Sequence, residues 1–307
     1  MTTAFISHPD CQLHEMGAGH PESPQRLQAI ERQLDASDLR QRLDIQLATP
    51  VEVELLYWTH GREFVREIEA LLPSHGLAWA DPDTALNPHS LGAAHLAAGA
   101  VVQAAKRVLA GQVDNAFCAI RPPGHHAEQE RAMGFCLFNN VAVGVEWALR
   151  EGGAERVAVL DFDVHHGNGT VDIFQDRPEV LVCSSFQYPF YPFRYQDIRR
   201  PNIVHTPLPA GTASDEFRLA VEADWLPALR RHRPDIIFVS AGFDAHREDP
   251  LAQLRLEDAD FRWITDLIVD ASKPSAGGRI VSVLEGGYSL QALGRSVEQH
   301  LEGLLEA

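Results

Sequence analysis

Six short runs of this chain read as strands, most of them apolar on both faces. They are TAFIS (3–7), AFCAI (116–120), VAVLDF (157–162), VLVCSSF (180–186), DIIFVSA (235–241) and RIVSVLE (279–285). Most lack the in–out alternation of a half-solvated strand, as expected where helices cover both sides. The stretches between them carry a helical apolar period. They are SPQRLQAIERQLDAS (23–37), residues 91–110, NVAVGVEWALREGG (140–153), SDEFRLAVEADWLPALRRH (214–232), EDADFRWITDLIVDAS (257–272) and LQALGRSVEQHLEGLLE (290–306). Ser23 is the expected N-cap of the first, with Pro24 at its first helical position. The alternation predicts an α/β fold: one three-layer domain over residues 1–307, with a mostly parallel sheet between layers of helices.

Four of the six runs end in titratable residues. AFCAI runs into RPPGHH, VAVL into DFDVHH, DIIFVSAG into FDAH, and RIVSVL into EGGY. In open parallel sheets the carboxyl edge is where ligand sites form, so these four loops are expected to face one crevice. The composition narrows what it binds. A net charge of −17, from 26 Lys and Arg against 43 Asp and Glu, gives no basic surface for a phosphate backbone, which argues against nucleic acid. No apolar run is long enough for a bilayer, and the first residues show no basic-then-apolar signal. The four cysteines, Cys11, Cys118, Cys136 and Cys183, form no CxxC pair. That predicts free thiols, no thiolate metal site and a reducing cytoplasm.

The loops hold a set of groups suited to hydrolysis. Asp163 and His165 are two apart, so in extended chain they point to one side. With Asp244 they make three N and O ligands and leave one position open, the arrangement of catalytic zinc; ferrous iron or cobalt also suits such a set. An isolated DxH merely caps many loops; the neighbouring loops give this one its weight. The tandem His125 and His126 carry four ring nitrogens that need partners, which makes them poor core filler and good acid–base groups. Asp161 is placed to hold one of them through a carboxylate–imidazole bond. Gly286 and Gly287 allow a sharp turn that would aim the Tyr288 hydroxyl at a developing oxyanion. Phe135 and Tyr191 are candidate apolar walls. Glu22 and Arg26 read either as surface helix charges or as groups beneath the site. GNGT (167–170) reads as a turn opening a short helix, since it lacks the rest of a phosphate loop.

Taken in order, GHPESPQRL, RPPGHHA, GFCLFNNVAVG, DFDVHHGNGT, SAGFDAH and LEGGY resemble the histone deacetylases and their bacterial amidohydrolase relatives, over residues 19 to 288. Asn168 and Glu285 match the class II branch better than class I. The resemblance implies the arginase/deacetylase fold, with a sheet of about eight strands. It makes Asp163, His165 and Asp244 zinc ligands, His125 and His126 the acid–base pair with His126 as general base, and Asp161 the support of His125. Tyr288 becomes the group polarising the substrate carbonyl. Gly134 would accept the substrate amide N–H through its carbonyl, and Phe135 and Tyr191 would line an acyl-lysine tunnel. Family members often carry phenylalanine where Tyr191 stands. Asp161, Asp163, His165, Ser184 and Ser185 match a structural potassium site. A rim aspartate that contacts substrate backbone falls on Asp81 or Asp83. Asn168, where class I has aspartate, can orient His126 without stabilising its cation, which favours neutral His126.

Members specific for acetylpolyamines carry a glutamate seven residues after the last zinc aspartate. Leu251 stands there and offers a cation nothing. The expectation is therefore a zinc-dependent amidohydrolase that removes acetyl or other acyl groups from lysine side chains. Two alternatives remain: a deacetylase of acetylpolyamines or another small acetylated amine, and a metal-dependent protein that binds acylated ligands without turnover. Oligomeric state is left open.

Overall fold

A computed structural model describes residues 2–307. In chain order the elements are β1 (Thr3–Ser7), α1 (Gln25–Ala36), α2 (Leu39–Arg42), β2 (Asp44–Leu47), α3 (Val53–Thr59), α4 (Arg62–Ala70), β3 (Ala78–Asp81), β4 (Thr84–Leu86), α5 (Ser90–Leu109) and β5 (Asn115–Cys118). They continue as α6 (Asn140–Arg150), β6 (Val157–Asp161), α7 (Asn168–Phe174), β7 (Val180–Gln187), β8 (Ile203–Leu208), α8 (Ser214–His232), β9 (Ile236–Ala241), α9 (Asp258–Ala276), β10 (Ile280–Leu284) and α10 (Leu290–Leu305).

Eight strands form one parallel sheet in the order β2-β1-β5-β10-β9-β6-β7-β8, and β3 and β4 make a separate antiparallel hairpin. Helices α5, α6 and α7 pack on one face, and α1, α8, α9 and α10 belong to the other layer. The six apolar runs are strands, and β5, β6, β7, β9 and β10 are buried at every position, as a two-sided cover requires. β2 and β8, the two sheet edges, had no such signature. β2 is half-buried and exposed by turns, and β8 contains Pro207, which an edge strand tolerates.

Helix ends follow local chemistry. Asn139 caps α6 by accepting from Ala142 N at 3.0 Å, and Glu257 and Asp260 close a capping box on α9. One cap expectation fails. α1 starts at Gln25 with Pro24 in the cap position and no side-chain cap bond; Ser23 contributes its carbonyl to Arg26 N instead. α9 also runs past Ser272 to Ala276, with Pro274 in its last turn, because the left-handed Gly277 ends it. No helix among the described residues is long and apolar enough to cross a membrane. All four cysteines are buried and free.

Candidate active site

The four strands that end in titratable loops, β5, β10, β9 and β6, are neighbours at the centre of the sheet. Their carboxyl ends therefore open on one cleft. From β6, Asp163 turns back on its own loop: its Oδ1 accepts from His165 N at 2.8 Å and lies 3.0 Å from His165 Nδ1. From β9, Asp244 brings Oδ2 to 3.2 Å from the same Nδ1. Donor atoms of the three side chains lie within 4.8 Å of one another. Asp244 Oδ2 is buried without a hydrogen-bond partner, which costs free energy unless a cation completes it. Two carboxylates around one imidazole nitrogen form a donor set that fits a divalent ion such as zinc or ferrous iron. The neighbouring backbone is cut to this shape. A Cβ on Gly286 would sit 2.1 Å from Asp244 Oδ2 and 2.6 Å from Asp163 Oδ2.

The tandem histidines lie beside this cluster with rings 4.0 Å apart. His125 Nδ1 is 2.9 Å from Asp161 Oδ2. Burial works against a charge on His125, yet Asp163, Asp161 and Glu285 more than offset it and hold the pKa well above the usual histidine value. His126 goes the other way. Burial, then the neighbouring His125 and His165, push it well down, so it is neutral. Asn168 fixes its tautomer. The amide Nδ2 donates to Glu128 Oε1 at 2.7 Å, which leaves Oδ1 to accept from His126 Nδ1 at 2.7 Å. His126 Nε2 then keeps its lone pair. Glu128 is in turn gripped by Arg194.

A cavity of about 230 Å³ leads to these groups, lined by Asp83, His126, Gly134, Phe135, His165, Phe190, Tyr191, Leu251 and Tyr288. Its walls are held from behind. Gly134 and Phe135 both take positive φ, 59° and 68°, an uncommon conformation for phenylalanine. Asp83 Oδ1 accepts from Gly134 N at 2.9 Å, and Thr84 Oγ1 accepts from Phe135 N at 3.0 Å, which pins the turn. Gly134 is required there, since a Cβ would lie 2.3 Å from the His126 ring. The Gly134 carbonyl meets the Cys136 thiol at 3.2 Å. The Tyr191 hydroxyl donates to Asp83 Oδ2 at 2.9 Å. Of the two rim candidates, Asp83 lines the cavity and Asp81 does not; past a strand irregularity between Trp79 and Asp81, Asp81 pairs with Arg131 at 2.7 Å. A wider groove of about 730 Å³ lies between α8 and α9 and holds none of these residues.

Glu22 and Arg26 are fully buried, not surface charges. Glu22 binds Arg121 through both carboxylate oxygens and Arg26 Nη1 at 3.2 Å. Arg26 reaches the carbonyls of Glu285 and Gly287, and its guanidinium lies 5.0 Å from the Tyr288 ring centroid. The Glu285 carboxylate accepts from Gly124 N at 2.7 Å and His125 N at 3.1 Å, so it ties the tip of β10 to the histidine loop. Ser184 is the register partner of Asp161 on β7, and Ser185 Oγ lies 3.5 Å from the Asp161 carbonyl. Sequence reasoning missed Phe190, which stacks on His165 at 5.3 Å, and His20, which meets Phe135 edge-on at 4.8 Å. It also missed Asp249. Tyr191 sits in the same aromatic run as Phe190, a signal that could have found that one.

The histone deacetylase domain profile matches residues 20–304 of this chain. The chain belongs to the histone deacetylase family. A histone deacetylase-like amidohydrolase of Pseudomonas aeruginosa is 41% identical over 300 residues, covering 94% of this chain and 79% of that protein. A probable deacetylase of Archaeoglobus fulgidus is 35% identical over 299 residues, covering 95% and 82%. Among solved structures, the HDA15 HD domain superposes with a TM-score of 0.93 at 33% identity, covering 99% of this chain and 88% of that one. The fold is thus the arginase-like deacetylase fold that the motifs implied, and membership supports hydrolysis of an acetylated substrate as the activity of this family member.

Proposed function

We propose that this chain is a metal-dependent deacetylase that removes acetyl or other short acyl groups from lysine side chains. One observation carries the reading: Asp163, His165 and Asp244 converge at the end of a cavity that His126 and Tyr288 also line. Asp163, His165 and Asp244 would hold the cation, zinc or ferrous iron. When bound, such an ion supplies Lewis-acid charge to the substrate carbonyl and acidifies a water.

The chain's own groups do the rest. Phe135, Phe190 and Tyr191 grip the aliphatic part of the acylated side chain and exclude water. The Gly134 carbonyl accepts the substrate amide N–H. Neutral His126, its Nδ1–H held by Asn168, takes a proton from the attacking water at Nε2. The Tyr288 hydroxyl, whose pKa burial pushes well up so that it keeps its proton, donates to the tetrahedral oxyanion. His125, charged against Asp161, stabilises the negative charge of the site, and a protonated histidine returns a proton to the leaving amine. Asp161, Asp163, His165, Ser184 and Ser185 would surround a structural potassium ion under the β6 loop. Residues 1–307 act as one catalytic domain.

Leu251 lines the cavity and offers no charge to a distal ammonium, which favours acyl-lysine over an acetylpolyamine. Four free, buried thiols suit a reducing cytoplasm. The test is kcat/KM of metal-defined protein on an acetyl-lysine peptide beside acetylspermidine, with and without chelator. A higher value on the peptide, lost on chelation, is expected. Preference for acetylspermidine would overturn the substrate. Binding without turnover of either would overturn the enzyme.

A further inference from the structure

Asp249 lies five residues beyond Asp244, in a stretch, REDPLAQ, that reads as charged surface. In the fold it is 6% exposed. Its oxygens take three backbone N–H groups from two loops: Oδ1 from Leu251 at 3.0 Å, Oδ2 from Tyr288 at 2.7 Å and from Ser289 at 3.2 Å. A buried carboxylate is costly, so three aligned donors amount to a built socket. Ser289 is the N-cap of α10, and the carboxylate therefore also lies at the positive end of that helix. The donors stand directly behind two side chains of the cavity, Leu251 and Tyr288. Gly287, at φ 124°, gives the chain just before Tyr288 little stiffness of its own.

We propose that Asp249 is a positioning residue, one that fixes the Tyr288 hydroxyl in the cavity and sets the Leu251 wall in register with it. The inference rests on the role given to Tyr288 under the proposed function. It predicts that the cost of losing Asp249 is bounded by the cost of losing the Tyr288 hydroxyl, because the first acts through the second.

Asp249→Asn keeps the shape and turns one acceptor oxygen into a donor. Its kcat on an acetyl-lysine peptide should fall ~10–100-fold, as expected for a displaced catalytic group, with metal content unchanged. In a Tyr288→Phe background the same substitution should change kcat less than about twofold. Amide hydrogen exchange at Tyr288 and Ser289 should rise at least about tenfold, while exchange at Gly124 and His125, which Glu285 holds, stays as it was. An equal loss in both backgrounds, unchanged exchange at 288–289, or loss of metal overturns the proposal. If Asp249→Asn fails to fold, Asp249→Glu, which keeps the charge and shifts both oxygens by one methylene, takes its place. A wild-type protein that turns over no acetylated amine would refute the deacetylase reading, and the exchange measurement would still decide on Asp249.

Discussion

Glu22→Gln tests the buried charge network beneath Tyr288. Glu22, Arg26 and Arg121 are all fully buried, and Glu22 is the one anion between two guanidiniums. Burial alone would raise the Glu22 pKa, but Arg121 and then Arg26 more than offset it and bring it to about 2 from the ordinary 4.5. At ~1.4 kcal/mol per tenfold, that difference is worth ~3 kcal/mol at neutral pH. Breaking a buried pair by removing one partner costs ~3–5 kcal/mol, in agreement. Unfolding entropy of about 2.1 cal/mol/K per residue gives about 0.65 kcal/mol/K for a chain of this length, so Tm should drop by roughly 5–8 °C at pH 7. The sign with pH follows from a depressed folded pKa: the stabilisation is complete above about 4.5 and is lost as pH falls towards about 2. Calorimetry of wild type and variant from pH 7 downward should show the gap closing across that window. Glu31→Gln is the control, since Glu31 and Arg40 pair with side chains 34% and 35% exposed, and it should move Tm by less than about 2 °C. A shift below about 2 °C for Glu22→Gln, or a gap that does not shrink in acid, refutes the reasoning.

Tyr288→Phe should lower kcat ~10²–10³-fold with circular dichroism and metal content unchanged; near-normal turnover of an acetyl-lysine peptide would remove the tyrosine from the mechanism. Gly286→Ala should abolish metal retention, because the added methyl falls 2.1 Å from Asp244 Oδ2; elemental analysis of the purified variant, beside Asp244→Ala, decides it. Chelation should lower Tm by about 4 °C relative to protein held at a free metal concentration of about 100 Kd, from ~2.7 kcal/mol of linked binding; an unchanged melt would mean that Asp163, His165 and Asp244 hold no ion.

Much of this was legible in the sequence because the same physics wrote both. A strand covered on two faces must be apolar at every position, so the six runs stood out, and the polar residues at their ends stood out against them. The edges were harder. Ile45 and Leu47 of β2 are 43% and 66% exposed, so no burial pattern marks that strand. That Asp83 rather than Asp81 meets the cavity is set by its contacts with Gly134 and Tyr191, which are 51 and 108 residues away in sequence and leave no local trace. Asp249 was hidden for another reason, and the same reason left Glu22 undecided between surface and interior. A charged residue reads as surface, and only the tertiary structure shows that backbone N–H groups or arginines have been arranged around it. Ser23 shows the reverse error, a good local signal overruled because Pro24 already sets the chain direction into α1.

The position of β10 has a consequence for how the molecule is made. It is the last strand in chain order, yet it lies between β5 and β9. During synthesis, everything up to α9 can leave the ribosome with a gap down the middle of the sheet. Only when residues 280–288 emerge do the two half-sheets acquire a common neighbour, and with it the backbone that seats Asp163 and Tyr288. Until that stretch has emerged, the backbone N–H groups that hold Asp163 and Asp249 are missing, and the cleft lacks its Tyr288 wall.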